Sequence, residues 1–135
     1  MSFSYLTLHR HLFLALSLTI GLIITTTLTL GTVKPLTSID LIDAAGEGGI
    51  TLVILMWILF SLMTRPAGKV TNLLFLGLTL THVSMLLDFL DEFIEYPETS
   101  AWLATIESLP APVGMLIMSS ALYYWYQEQQ SINNQ

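Results

Sequence analysis

The stretch Asp88-Phe89-Leu90-Asp91-Glu92-Phe93-Ile94-Glu95 sets four carboxylates at the end of the apolar run 70–90. Carboxylates are the main chemical resource of the chain, which has ten of them, four Lys and Arg, three His and no Cys. On a helix, Asp88, Asp91 and Glu95 fall at i, i+3 and i+7 and share one face. That face runs back through Ser84, Thr81 and Gly77 as a small and polar stripe. Lipid does not solvate such a stripe, so it is expected to face protein or water. A second set, Asp40, Asp43 and Glu47, repeats the spacing. The turn Thr64-Arg65-Pro66-Ala67-Gly68-Lys69 lies between the two sets and is short enough to fold one helix back along the other. Glu47 then stands level with Asp88, Asp43 with Glu92 and close to Asp91, and Asp40 with Glu95.

Carboxylates held that close are costly to ionise together. At an effective dielectric of about 20, two unit charges ~4 Å apart repel by about 4 kcal/mol. They relieve this by sharing a proton or a cation. Hard oxygen donors suit Ca²⁺, Mg²⁺ or Mn²⁺, so a divalent cation is the candidate cofactor, with Asp43, Glu47, Asp88 and Glu92 as its ligands. The candidate ligand-binding set is Glu47, Asp88, Asp91, Glu92 and His82, and a basic organic ligand also fits it. The plainer reading is a solvated acidic rim, because no recognised metal-loop motif is present. His82 lies off the face of Asp88, and hydrogen bonding to a neighbouring helix is the commoner role for such a histidine. His9 and His11 stand about 18 Å away by helical rise, which argues against a haem held by two histidines.

The elements that carry these residues are apolar helices. The 135 residues are 53% hydrophobic and 10% charged, with mean hydropathy +0.70, whereas a soluble domain carries about 25% charged residues. The fold class expected is all-α, one domain over residues 1–135, as a four-span antiparallel transmembrane helix bundle. The spans expected are about 12–31, 44–64, 70–94 and 109–127, with a helical tail from about 127. The first apolar run is too long for a cleavable signal peptide, and no small-x-small site follows it. In that run Ser17, Gly21 and Thr25 form a small-residue stripe that lets another helix approach closely. Residues 32–38 read as a loop, with Ser38 as the N-cap of the second helix. The Gly46-Glu47-Gly48-Gly49 patch reads as a break or as a place of close packing. Met56, Trp57 and Phe60 read as ordinary packing residues. Pro97 ends the third helix, and residues 101–108 read as a short amphipathic helix. Tyr123, Tyr124, Trp125 and Tyr126 read as an interfacial aromatic belt closing the fourth span.

Four spans put both termini on one side, together with Arg10, Arg65 and Lys69, and leave only Lys34 opposite. The positive-inside rule then makes the termini cytoplasmic. Nine of the ten carboxylates belong to the other side, Glu98 and Glu107 among them, and Glu128 alone is inside. Four basic residues in a chain of net charge −6 exclude a nucleic-acid surface. No nucleophile paired with a base, no phosphate loop and no His-rich metal signature occurs, so the chain reads as a non-enzyme.

The motifs Asp88-Phe-Leu-Asp-Glu-Phe and Leu109-Pro-Ala-Pro-Val-Gly, with the tail Tyr124-Trp-Tyr-Gln-Glu-Gln-Gln-Ser-Ile-Asn-Asn-Gln, carry a resemblance. The chain resembles the N-terminal four-helix membrane regions of bacterial GGDEF-type diguanylate cyclases and of some sensor histidine kinases. The resemblance implies a sensory input module in the bacterial inner membrane. It implies a homodimer, with the lipid bilayer as surroundings and a cytoplasmic output domain in cis. Any catalysis would belong to that output domain, which is expected beyond residue 135. It carries no ligand over onto these residues. The alternative expectation is a small transporter or channel subunit with a cation-attracting mouth.

Overall fold

The computed structural model of the chain describes residues 8–96, 106 and 108–133. These are almost wholly helical, with α1 at Arg10–Leu30, α2 at Leu41–Thr64, α3 at Lys69–Asp91 and α4 at Pro110–Asn133. Two short strands, β1 (Thr32–Val33) and β2 (Ile94–Glu95), pair antiparallel, with Thr32 opposite Glu95 and Val33 opposite Ile94. A 3-10 turn, Leu36–Ser38, follows β1. The helix expected over 101–108 falls largely outside the described residues, as do Pro97, Glu98 and Glu107.

Three helices, α1, α2 and α3, are long and apolar enough to cross a membrane, with mean hydropathies of 2.0, 1.8 and 1.8. They differ in how much of them the rest of the chain covers. In their most apolar windows 11% of α1 and 17% of α2 is buried, but 44% of α3. α3 is therefore the inner helix, and the other three pack on it. Leu16 of α1, Ile58 and Leu62 of α2, and Phe75 and Leu78 of α3 form the buried apolar core. α4 runs past the aromatic residues to Asn133, and its polar end is braced one turn at a time. Gln127 Nε2 donates to the Tyr123 hydroxyl at 2.8 Å, and Gln130 Nε2 to that of Tyr126 at 2.6 Å.

The small and polar stripe of α3 is covered by protein. Gly77, Thr81 and Ser84 are buried, and the first two lie against α4. A Cβ on Gly77 would stand 2.7 Å from the Gly114 carbonyl oxygen, and one on Gly114 would stand 2.6 Å from Thr81 Oγ1. The two backbones thus meet where neither has a side chain, the approach that apolar helices use when apolar burial gives no drive to associate. Thr81 Oγ1 donates to the Gly77 carbonyl at 3.0 Å, so its polar group is satisfied within α3. By contrast, Ser17, Gly21 and Thr25 of α1 are exposed, and nothing lies within 4 Å of a Cβ on Gly21. Among the described residues no helix takes up that stripe.

Four local expectations are corrected. Residues 32–38 are not a plain loop, since they contain β1 and the 3-10 turn. The N-cap of α2 is Asp40 and not Ser38. Asp40 Oδ1 accepts from the backbone N–H of Ile42 at 2.9 Å and of Asp43 at 3.3 Å, whereas Ser38 Oγ donates to the Pro35 carbonyl. α3 ends at Asp91, short of Glu95. There the backbone exchanges helical bonds for strand bonds, with Lys34 N–H donating to the Phe93 carbonyl at 2.8 Å. β-branched Ile94 favours that extended state and is buried where Gly31 leaves no Cβ in its way. Lastly, Met56, Trp57 and Phe60 are not core but stand 67%, 62% and 62% exposed on the outside of α2, as lipid-facing residues would.

The α3–α4 crossing makes a specific prediction. Gly114→Ala should lower the unfolding stability of the chain in detergent by about 1–3 kcal/mol, the usual cost of overpacking. Gly21→Ala should be neutral or stabilising, since it meets no neighbour and improves helix propensity. Thermal unfolding followed by circular dichroism checks both.

Candidate functional site

The acidic residues come from three elements that end together. The first turns of α2 carry Asp40, Asp43 and Glu47. The last turn of α3 carries Asp88 and Asp91, with Glu92 as its cap, and β2 carries Glu95. α3 folds back along α2 close to the register read from the turn. Thr51 Oγ1 of α2 donates to the Met85 carbonyl of α3 at 2.9 Å, and Gly48 lies under the Phe89 ring. The Gly46–Gly49 patch therefore does not break α2, and at Gly48 it is a place of close packing. Phe93 meets Phe89 edge to face at 5.2 Å, so an apolar pair stands beside the carboxylates.

Glu47 is the centre of this group. Glu92, Asp88, Asp43 and Asp91 all act on it electrostatically, and its Oε2 is buried with no hydrogen-bond partner. The structure thus brings Glu47, Asp43, Asp88, Asp91 and Glu92 to one end of the helices. Among the described residues, however, no three His, Asp or Glu side chains gather closely enough to hold one metal ion. Asp40 is committed to capping α2, and Glu95 is exposed on β2, off the face that Asp88 and Asp91 share.

His82 is not part of the mouth. It is 3% exposed within α3, its ring hydrogen-bonds the backbone of Thr51, and its Nδ1 is buried without a partner. With the Thr51–Met85 bond it ties α2 to α3 in both directions.

Sequence reasoning missed part of this end. A cleft of about 420 Å³ opens beside the acids and is lined by Lys34, Ser38, Asp91, Glu95 and Tyr96. It puts Lys34, the one Lys or Arg near the acidic end of the helices, next to two carboxylates. The sequence does carry a signal, because Lys34 is the one Lys or Arg among these acids, but counting it for topology alone does not use it. The cleft exists because β1 and β2 pair, and two-residue strands carry no periodicity to detect.

The crowding of Glu47 has a measurable consequence. In chelator and at low salt, Glu47→Gln should stabilise the chain by on the order of 1 kcal/mol, since it removes one charge from among its like neighbours. Asp43→Asn, at an exposed position, should do less, and added salt should shrink both gains. Thermal midpoints in detergent at two ionic strengths check the ranking.

Comparison with family models, with curated proteins and with solved structures finds no match to this chain.

Proposed function

We propose that the chain is a sensory input module of a bacterial inner membrane. In this reading it is a four-span antiparallel bundle with both termini cytoplasmic. A cation or a basic ligand is drawn to the acidic mouth on the far side, and α4 carries the resulting shift inward to an output domain in cis, such as a diguanylate cyclase. Such outputs act as dimers, so a homodimer belongs to the same proposal. α4 is the fourth span, its apolar part ending in the aromatic belt 123–126.

The observation that carries this reading is the double duty of α3. One end of it bears Asp88, Asp91 and Glu92, and its middle is seated on α4 through Gly77 and Gly114. A close-packed contact between backbones has little slack, so a displacement of α3 at the mouth is passed to α4. The same packing disfavours the transporter reading. Below the acids the polar stripe is occupied by Thr81 against Gly114, leaving little room for a conducting path.

Two measurements test the proposal. A nitroxide on Gln130, in the helical tail of α4, should change its mobility when Ca²⁺, Mg²⁺ or Mn²⁺ is titrated in. Asp88→Asn and Glu47→Gln should abolish the change. The same cation should raise the thermal midpoint by mass action, about 2.7 kcal/mol at a hundredfold excess over its dissociation constant. A spectrum indifferent to all three ions and to basic amines would leave only a solvated rim.

Topology is tested separately with single cysteines. An impermeant reagent added outside cells should label Leu36→Cys, which is 88% exposed beside the acids, and should spare Ala67→Cys in the turn between α2 and α3. Labelling of Ala67→Cys from outside would reverse the orientation.

A further inference from the structure

The end of the chain opposite the acids has its own cleft. Trp57 and Phe60 of α2 and Leu122 of α4 wall an open groove of about 350 Å³, with Leu78 of α3 among its lining residues. Its only polar lining stands at one end, at Ser61, Thr64 and Arg65. From Trp57 to Arg65 along α2 is about 12 Å of helical rise. Trp57, Phe60 and Leu122 are 62%, 62% and 53% exposed, so the groove opens sideways, where lipid would lie.

The charged end is built and unmatched. The Arg65 guanidinium lies over the Trp125 ring at 5.5 Å, and Lys69 Nζ stands 3.4 Å from the Tyr124 centroid. Both cations are held by aromatic faces of α4, which leave the outward N–H donors available. Among the described residues neither cation has an ion-pair partner. The uncapped first turn of α3 opens at Lys69 and adds backbone N–H groups to the same corner.

We infer that this groove is a binding site for one anionic phospholipid, its phosphate at Arg65 and Lys69 and an acyl chain along Trp57, Phe60 and Leu122. Charge complementarity selects the occupant. A soluble anion would use the corner but leave the apolar walls open. A second copy packed groove to groove would bring a second Arg65 into a lining that holds no carboxylate to meet it. An anionic lipid satisfies both halves at once, because juxtamembrane Lys and Arg attract its headgroup. The inference rests on the membrane-spanning reading but not on the sensory role.

The test uses the full chain in mixed micelles with phosphatidylglycerol or phosphatidylcholine brominated on the acyl chain. The signal is the part of the tryptophan quenching that Trp57→Phe removes. Phosphatidylglycerol should reach half-quenching at about fivefold lower mole fraction, the ratio that ~1 kcal/mol gives. Arg65→Gln should weaken that preference and Arg65→Gln with Lys69→Gln should erase it, both with an unchanged circular dichroism spectrum, and in the unaltered chain high salt should erase it without any variant. Equal quenching by the two lipids overturns the proposal, as does a preference that survives the double substitution and high salt. Displacement of the brominated lipid by inorganic phosphate would make this a soluble-anion site. Protection from both lipids, with cross-linking between copies at position 60, would make it a protein interface. Oriented circular dichroism in bilayers separates the two levels. A chain that inserts but lacks the preference fails this inference alone, and a chain that does not insert fails the membrane reading as well.

Discussion

Two glycines facing each other across α3 and α4 set the geometry on which the other contacts depend. In water, burying apolar surface would draw these helices together whatever their shape. Where lipid takes the place of water that drive would be absent, and closeness itself supplies the attraction through dispersion contacts. Gly77 and Gly114 supply that closeness, and Met118 covers the Gly77 side of the crossing. Once α4 is seated there, the remaining faces of α3 take α2 through Thr51, His82 and Phe89, and take α1 through the cluster around Leu16 and Phe75.

The polarity of the molecule follows from which residues these helices carry at their two ends. One end gathers Asp43, Glu47, Asp88, Asp91 and Glu92, and the other gathers Arg10, Arg65 and Lys69. Neither set neutralises the other, because they are separated by the apolar length of the helices. Charge that cannot be paired inside the chain is left to be paired from outside it. The two ends differ in how they hold that charge. The carboxylates crowd one another around Glu47, whereas the cations rest on Tyr124 and Trp125.

Much of this was legible in the residues. The apolar runs, the hairpin register that brings Glu47 towards Asp88, and the buried stripe of Gly77, Thr81 and Ser84 all follow from helical periodicity and one short turn. What escaped reading was short or depended on a distant partner. Nothing local marks Thr32–Val33 and Ile94–Glu95 as strands, since each needs the other to satisfy its backbone. The end of α3 at Asp91 follows from that pairing, which β-branched Ile94 readily joins, and not from any stop signal in its own sequence before Pro97. The choice between Ser38 and Asp40 as cap turned on which oxygen reaches the free N–H groups. Trp57 and Phe60 were misjudged because an apolar helix in lipid has no hydrophilic face to tell inside from outside.

α1 is the least covered of the membrane-length helices, yet it is fastened at both ends. Past its C-terminus the two-rung ladder of β1 and β2 holds it to the end of α3. At its N-terminus His9, 1% exposed, donates from Nε2 to the Arg65 carbonyl at 3.1 Å. Between these points Leu16 is seated in the core, and a small apolar gap lies nearer the C-terminal end, beside Leu22, Thr26, Leu30 and Leu87. A rod pinned at both ends and at Leu16 cannot swing away as a lid or pivot as a lever. It can only bow. That leaves α1 a change of curvature in its C-terminal half, which would widen and narrow the gap while the acidic and basic ends of the molecule keep their spacing.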